Sequence, residues 1–249
     1  MKILAETHTH TNACAHAYNT ITEMVSECKR QGTQLIAITD HAPYMPDSPH
    51  LWHFANLKAV PRKIDGIYVL RGVEANIIDM NGALDMPEAV LKQMDVVIAS
   101  VHPVALSPGT LEDHTRTYME VMRNPYVDIL GHCGWPDYAF DIDRVLGVAK
   151  EYDKIVEINS HTFSVRKKNI ENCKRIARRC MELGVKIVIS SDAHSIYELG
   201  NFEDALAAVD EIGIDESIVM NTSAEKFLQY LCRRKGLDRN KFESTRPGV

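Results

Sequence analysis

Histidine dominates the residues of this 249-residue chain that are able to do chemistry. His8 and His10 stand together in ETHTHT, His16 follows a few residues on, and His41 closes ITDH. Glu74 then occurs in RGVEAN, His102 in ASVH, His132 in ILGH, and Asp192 with His194 in SSDAH. Residues two apart on an extended segment point the same way, so His8 and His10 can reach one ion together. Neutral imidazoles with a few carboxylates suit Zn, Mn, Fe and Ni, whereas Ca and Mg prefer sites built of oxygen. These nine donors exceed what one ion of about four to six ligands can hold, so two or three divalent transition metal ions (Zn, Mn or Fe) sharing Glu74 and Asp192 is the economical arrangement.

Any one of these histidines, taken alone, reads as a surface or hydrogen-bonded core residue. Their common placement changes that reading. Short β-branched runs recur at 2–7 (KILAET), 34–39 (QLIAIT), 67–75 (IYVLRGVEA), 95–101 (DVVIASV), 127–131 (VDILG), 154–159 (KIVEIN) and 185–190 (VKIVIS), each reading as a buried parallel strand. Helical patterns at 21–32, 112–123, 141–152, 171–184 and 202–213 alternate with them, with Gly32 and Gly184 as stops and Asp141 as an N-cap. Strand and helix in alternation predict an α/β fold, a (β/α)7 TIM-like barrel, and such barrels assemble their sites at the carboxyl ends of the strands. The nine donors all fall at or just after those ends, while His50, His53, His114 and His161 lie outside the set.

The predicted organisation is one domain over 1–240 with a polar, frayed tail over 241–249. The Pro-, His- and aromatic-rich segment 41–62 reads as a long loop or lid at the mouth, where His50 and His53 either face substrate or pack on Trp52. A net charge of −6 argues against long nucleic acid and anionic membrane as partners. Six scattered cysteines without a C-x-x-C pair, no signal-peptide core and no membrane-length apolar run point to a cytoplasmic protein with reduced thiols. Cys14 and Cys133 neighbour ligands, but the site already has its donors.

With only Glu74 and Asp192 negative among the donors, bound metals would leave the mouth locally cationic. That suits a compact phosphate group, and metals lower the pKa of bound water from near 15.7 to about 7. Arg166, after the sixth strand run, can grip phosphate oxygens as a fork, and Asp40 either orients a ligand or protonates a leaving alkoxide.

The motifs H-T-H at 8–10, T-D-H at 39–41, the glutamate in RGVEAN at 71–76 and S-D-A-H at 191–194 resemble the PHP (polymerase and histidinol phosphatase) family, nearly end to end. SPHLWHF at 48–54 and ENC at 171–173 are closer to its YcdX-like phosphatases. The resemblance implies a distorted (β/α)7 barrel with a trinuclear site and hydrolysis of a small phosphorylated metabolite, a phosphomonoester, through a metal-bridging hydroxide. It also implies His8 and His10 on one metal, Glu74 bridging to a second held by His102 and His132, and His16, His41 and His194 on a third bridged by Asp192. Ser160-His161 departs from the family's small polar residues and puts substrate detail in doubt. Phosphodiester or nucleotide-end hydrolysis, amidohydrolase-type C–N or C–O hydrolysis, and a non-catalytic metal-binding regulator are the competing readings.

Overall fold

A computed structural model describes residues 1–247. Each predicted strand run forms a strand, and a short extra one joins them: β1 (Ala5–Glu6), β2 (Leu35–Ile38), β3 (Lys63–Ile64), β4 (Ile67–Asn76), β5 (Val96–Ser100), β6 (Ile129–Leu130), β7 (Ile155–Asn159) and β8 (Lys186–Ser190). All but β3 pair in parallel, in sequence order from β1 to β8, while β3 runs antiparallel against β4. The Val, Ile, Leu and Ala side chains of the seven parallel strands are uniformly buried, as a sheet covered on both faces demands.

The sheet curls until β1 and β8 face each other, and two devices close the seam. At the carboxyl end Thr9 bridges Ala193. Lower down, Val219 bridges Ile187, and the Asn221 side chain donates to Ala5 O at 2.9 Å and Ile189 O at 2.6 Å while accepting from Ile189 N–H. One buried amide thus satisfies backbone groups that two facing strand edges would leave orphaned.

The outer helices are α1 (Ile21–Gln31), α2 (Leu51–Asn56), α3 (Glu88–Leu91), α4 (Leu111–Arg123), α5 (Ile142–Glu151), α6 (His161–Val165), α7 (Ile170–Leu183), α8 (Glu203–Ile212) and α9 (Ala224–Lys235). Thr20 and Glu23 form a capping box at the start of α1, Asp141 caps α5, and Gly32 and Gly184 end α1 and α7 at φ 77° and 68°, as their sequences predict.

Two expectations change. First, α9 went unpredicted although Ala224, Phe227, Leu228 and Leu231 follow a helical spacing; it caps the amino end of the barrel. Second, 241–249 is not simply a frayed tail: Arg239–Glu243 form a 3-10 turn and Phe242 is fully buried beside Phe227 and Leu231. Burying such an apolar side chain contributes about 1.5–3 kcal/mol, enough to hold the turn down. Gly248 and Val249 lie outside the described residues.

Candidate metal centre and active site

The strand ends deliver the nine predicted donors to one place. Eight are buried or half-buried, and His16 on the β1–α1 loop remains half exposed. Glu74 sits at the centre: its Oε1 lies 2.8 Å from His132 Nε2 and 3.5 Å from His102 Nε2, and its Oε2 lies 2.8 Å from His41 Nδ1, 3.4 Å from His8 Nε2 and 3.6 Å from His10 Nε2. Asp192 Oδ1 stands 3.2 Å from His10 Nε2, 3.5 Å from His8 Nε2 and 4.0 Å from His194 Nδ1. Asp192 adopts φ 56°, a left-handed conformation that costs a non-glycine residue free energy and recurs where surrounding structure holds a functional side chain in place.

Many of these atoms face one another without forming hydrogen bonds. His8 Nε2, His10 Nδ1, His41 Nδ1, His132 Nδ1, His194 Nε2 and Glu74 Oε2 are all buried and lack a hydrogen-bond partner. Buried polar atoms are normally paired, so this concentration of orphans is the signature of a group that belongs among them. The donor chemistry fits divalent transition metals: His8, His10 and Glu74 form one compact triad, His41, Glu74 and His102 another, and His10, His41 and His194 a third. The first triad matches the pair and bridge implied by the family resemblance, while the other two combine residues that the resemblance assigns to different metals. Asp47, unpredicted, completes a further triad with His16 and His41 and holds His16 Nδ1 at 2.7 Å.

The electrostatics match. Burial alone would raise the Glu74 and Asp192 carboxyls, but the surrounding imidazoles, His8 foremost, hold both well below the usual carboxylate range. Burial depresses His10 and His102 to about 3, so both offer neutral lone pairs. For His8 and His41 burial is outweighed by the carboxylates, Glu157 for His8 and Glu74 for His41, and both are shifted upward.

A supporting layer escaped the sequence reading. Glu157, buried in β7, accepts from His8 Nδ1 at 2.6 Å, from His132 N–H at 2.7 Å and from Ser190 Oγ at 2.6 Å. Asn159 donates to Asp192 Oδ2 at 3.0 Å, and Asn76 Oδ1 meets His102 Nδ1 at 2.7 Å. Glu6 accepts from the His8 and Ser191 backbones; burial pushes its carboxyl up to about 7 against those bonds. The signal was present: Glu6 in KILAET and Glu157 in KIVEIN are charges inside runs that must be buried, and a buried charge requires partners.

The two predicted catalytic side chains separate. Arg166, after α6, lines a cavity of about 320 Å³ with His16, His41, Glu74, His132, Asp192 and His194. Its guanidinium packs 5.3 Å over Trp135, and its Nη1 comes 3.9 Å from Asp192 without forming a hydrogen bond. Asp40, by contrast, is 0 % exposed and does not line the cavity. Its oxygens accept from Thr11 N–H at 2.6 Å, Thr11 Oγ at 2.9 Å, Cys14 Sγ at 3.4 Å and His53 at 3.0 Å. Burial opposes its ionisation, but these bonds, from His53 first, win and lower its pKa, so of the two roles expected of Asp40 its surroundings suit the orienting one better than proton donation to a leaving group.

The segment 41–62 is likewise not a cover over the mouth. From it His41 and Met45 line the cavity, whereas Trp52 and His53 border a separate cleft and Phe54 and Leu57 anchor α2 in the core. His50 caps α2 and packs edge-on against Trp52. His161 lines the cavity, and His114 is a buried structural residue bonded to Ala139 O. Cys14 and Cys133 are buried with thiols pushed far upward by burial.

A nearly closed parallel barrel carrying a histidine and carboxylate cluster on its strand ends, able to bind metal, defines a TIM-like α/β hydrolase class. Within it, the PHP domain family matches residues 6–171, and the chain belongs to that family. It is 49% identical over 237 residues to a probable phosphatase of Thermoanaerobacter sp. (strain X514), covering 94% of this chain and 97% of that one. It is 46% identical over 241 residues to a probable phosphatase of Acetivibrio thermocellus, covering 97% and 100%. Among solved structures, histidinol phosphate phosphatase of Lactococcus lactis subsp. lactis Il1403, complexed with zinc, L-histidinol and phosphate, shares the fold at TM-score 0.61 and 18% identity, over 86% of this chain and 95% of that one. The chain is therefore an enzyme, a hydrolase of the phosphatase kind. No helix among the described residues is long and apolar enough to cross a membrane.

Proposed function

We propose that this enzyme hydrolyses small phosphomonoesters at a trinuclear metal site formed by His8, His10, His16, His41, Glu74, His102, His132, Asp192 and His194. One observation carries the reading: His41, His132 and His194, each with a buried ring nitrogen that lacks a hydrogen-bond partner, line the same cavity of about 320 Å³ as Arg166. When bound, Zn, Mn or Fe would supply Lewis acidity and a water of depressed pKa.

The chain's own residues account for the rest. Glu74 and Asp192, both ionised, suit shared ligation between neighbouring ions. Arg166 is placed to take phosphate oxygens by charge-assisted hydrogen bonds, its plane fixed against Trp135. Glu157 holds His8 by Nδ1 and so keeps Nε2 pointed into the cluster. The net charge of −6 leaves phosphate capture to this local site and disfavours long nucleic acid. The six unpaired cysteines fit a reducing compartment such as the cytoplasm.

The test is a panel of phosphomonoesters, including histidinol phosphate and nucleoside monophosphates, set beside a phosphodiester, an amide and a lactone. Release of phosphate from monoesters, with an Arg166→Ala variant about tenfold to a hundredfold lower in kcat/KM, is expected. Preference for the diester, amide or lactone would overturn the reading.

A further inference from the structure

Among the described residues eight large apolar side chains are exposed, and five of them stand at the carboxyl end of the barrel, whereas Trp52, Leu111 and Tyr152 lie elsewhere. Tyr18, Tyr44, Val104, Val165 and Tyr197 all stand on segments that leave the carboxyl ends of β1, β2, β5, β7 and β8, around the cavity. Apolar surface left in water beside a ligand pit marks a binding surface. Tyr18 carries the argument furthest. It lines the cavity with His161 and His194, and the residue is 76% exposed. Its backbone is nevertheless fixed: Tyr18 N–H donates to His194 O at 2.9 Å, and the next residue, Asn19, accepts from Ile196 N–H at 2.9 Å. Tyr197, 91% exposed, stands between Ser195 and Glu198, which also line the cavity.

Building on the phosphomonoester reading, we propose that this rim is the leaving-group subsite, that the natural substrate's alcohol carries a planar ring, and that Tyr18 is the residue that selects it. With phosphate held on the histidine and arginine floor, the alcohol portion projects toward the rim, where Tyr18 lines the cavity beside His194. A phenol ring held at the rim offers a stacking face with little ordering left to do. An aliphatic alcohol would leave that face wet.

Benzyl, cyclohexylmethyl and ethyl phosphates test this, because all three release alkyl alcohols and differ in having a flat ring, a puckered ring or none. The wild type is expected to favour benzyl phosphate through KM, and Tyr18→Ala to lower kcat/KM for benzyl phosphate about tenfold more than for ethyl phosphate, with Tyr18→Phe retaining the preference. Equal losses on benzyl and ethyl phosphate, or equal turnover of the benzyl and cyclohexylmethyl esters by the wild type, would overturn the subsite. Absence of turnover on all three would instead overturn the phosphomonoesterase reading itself.

A separate observation concerns α2. Asp40 joins the His10–Thr11 segment, through Thr11 N–H and Oγ, to Cys14, whose Sγ accepts from His41 N–H at 3.2 Å. Its fourth donor, His53, comes from α2, outside both ligand loops. We infer that His53 is a positioning residue that sets the His10 and His41 rings, 4.3 Å apart, for metal. His53→Ala should weaken zinc binding in a titration about tenfold, and His53→Gln, which can still donate, should restore most of it. Zinc affinity in a folded His53→Ala protein equal to the wild type, or an equal loss in His53→Gln, would overturn this role.

Discussion

The two ends of the barrel both bury charge, and they treat it in opposite ways. At the amino end Asp95, Asp128 and Lys154 each stand one residue before a strand. Asp95 is held by Arg62 at 2.9 Å, Lys241 at 3.0 Å and the Arg71 N–H at 3.0 Å; Asp128 by Lys235 at 2.7 Å, Arg234 at 2.9 Å and the Val97 N–H at 2.8 Å. Lys154 donates to Asn124 O and Val127 O at 2.6 and 2.5 Å. At the carboxyl end Glu74 meets imidazoles and Asp192 has imidazoles at 3.2 and 3.5 Å, closer than the Arg166 guanidinium at 3.9 Å, and many atoms there have no hydrogen-bond partner. A permanent cation completes its carboxylate within the chain and yields a structural lock. An imidazole, unlike a permanent cation, can give up its proton and offer a lone pair to an ion from outside. The comparison separates buried charge that stabilises from buried charge that waits for a ligand.

The largest expected effect breaks the carboxyl end alone. Asp192→Ala or Glu74→Ala should lower phosphatase activity by on the order of 10³-fold, the upper range for losing one charge-stabilising group, with the circular dichroism spectrum unchanged. Activity within a few-fold of wild type in either variant would erase the distinction. Asp128→Ala should do the reverse: removing one partner strands Arg234 and Lys235 and costs about 3 kcal/mol or more in urea unfolding, with zinc content unaltered. Loss of metal from that variant would mean that the two ends are not independent.

A smaller change probes the support beneath the ligands. Glu157→Gln keeps the shape of β7 but weakens its hold on His8 Nδ1, and metal affinity should drop about 10- to 100-fold in an isothermal titration. Unchanged affinity would reduce Glu157 to a packing residue.

The mildest perturbation is pH. In the metal-free protein His8 is raised well above the ordinary 6.5 and His41 is raised above it too, so metal must compete with protons at both as pH falls. His10 and His102, at about 3, need lose none. Protons therefore compete at the first pair: affinity should fall as pH drops through neutrality, with proton release measurable on metal uptake. A pH-independent affinity between about 5 and 8 would contradict this.

Much of the carboxyl end was legible in sequence because its signals are local. Each ligand follows a β-branched run, and barrel geometry then brings His8, His41, His102 and Asp192 together without further information. What escaped depends on side chains that converge from remote strands. Nothing near Glu157 in the sequence announces His8, 149 positions away, and Asp40 reads as a free carboxylate until Thr11, Cys14 and His53 fold onto it. At the amino end the helical spacing of α9 was readable, whereas the burial of Phe242 within a run of polar residues emerges only once the barrel floor exists to receive it.

Phosphate release from a small phosphomonoester, measured before chelation, after chelation and after metal return, tests the central claim most directly. The account predicts that activity disappears with the bound metal and reappears on adding back Zn, Mn or Fe. A protein shown by elemental analysis to be metal-free, yet hydrolysing the ester as fast as untreated enzyme, would contradict it.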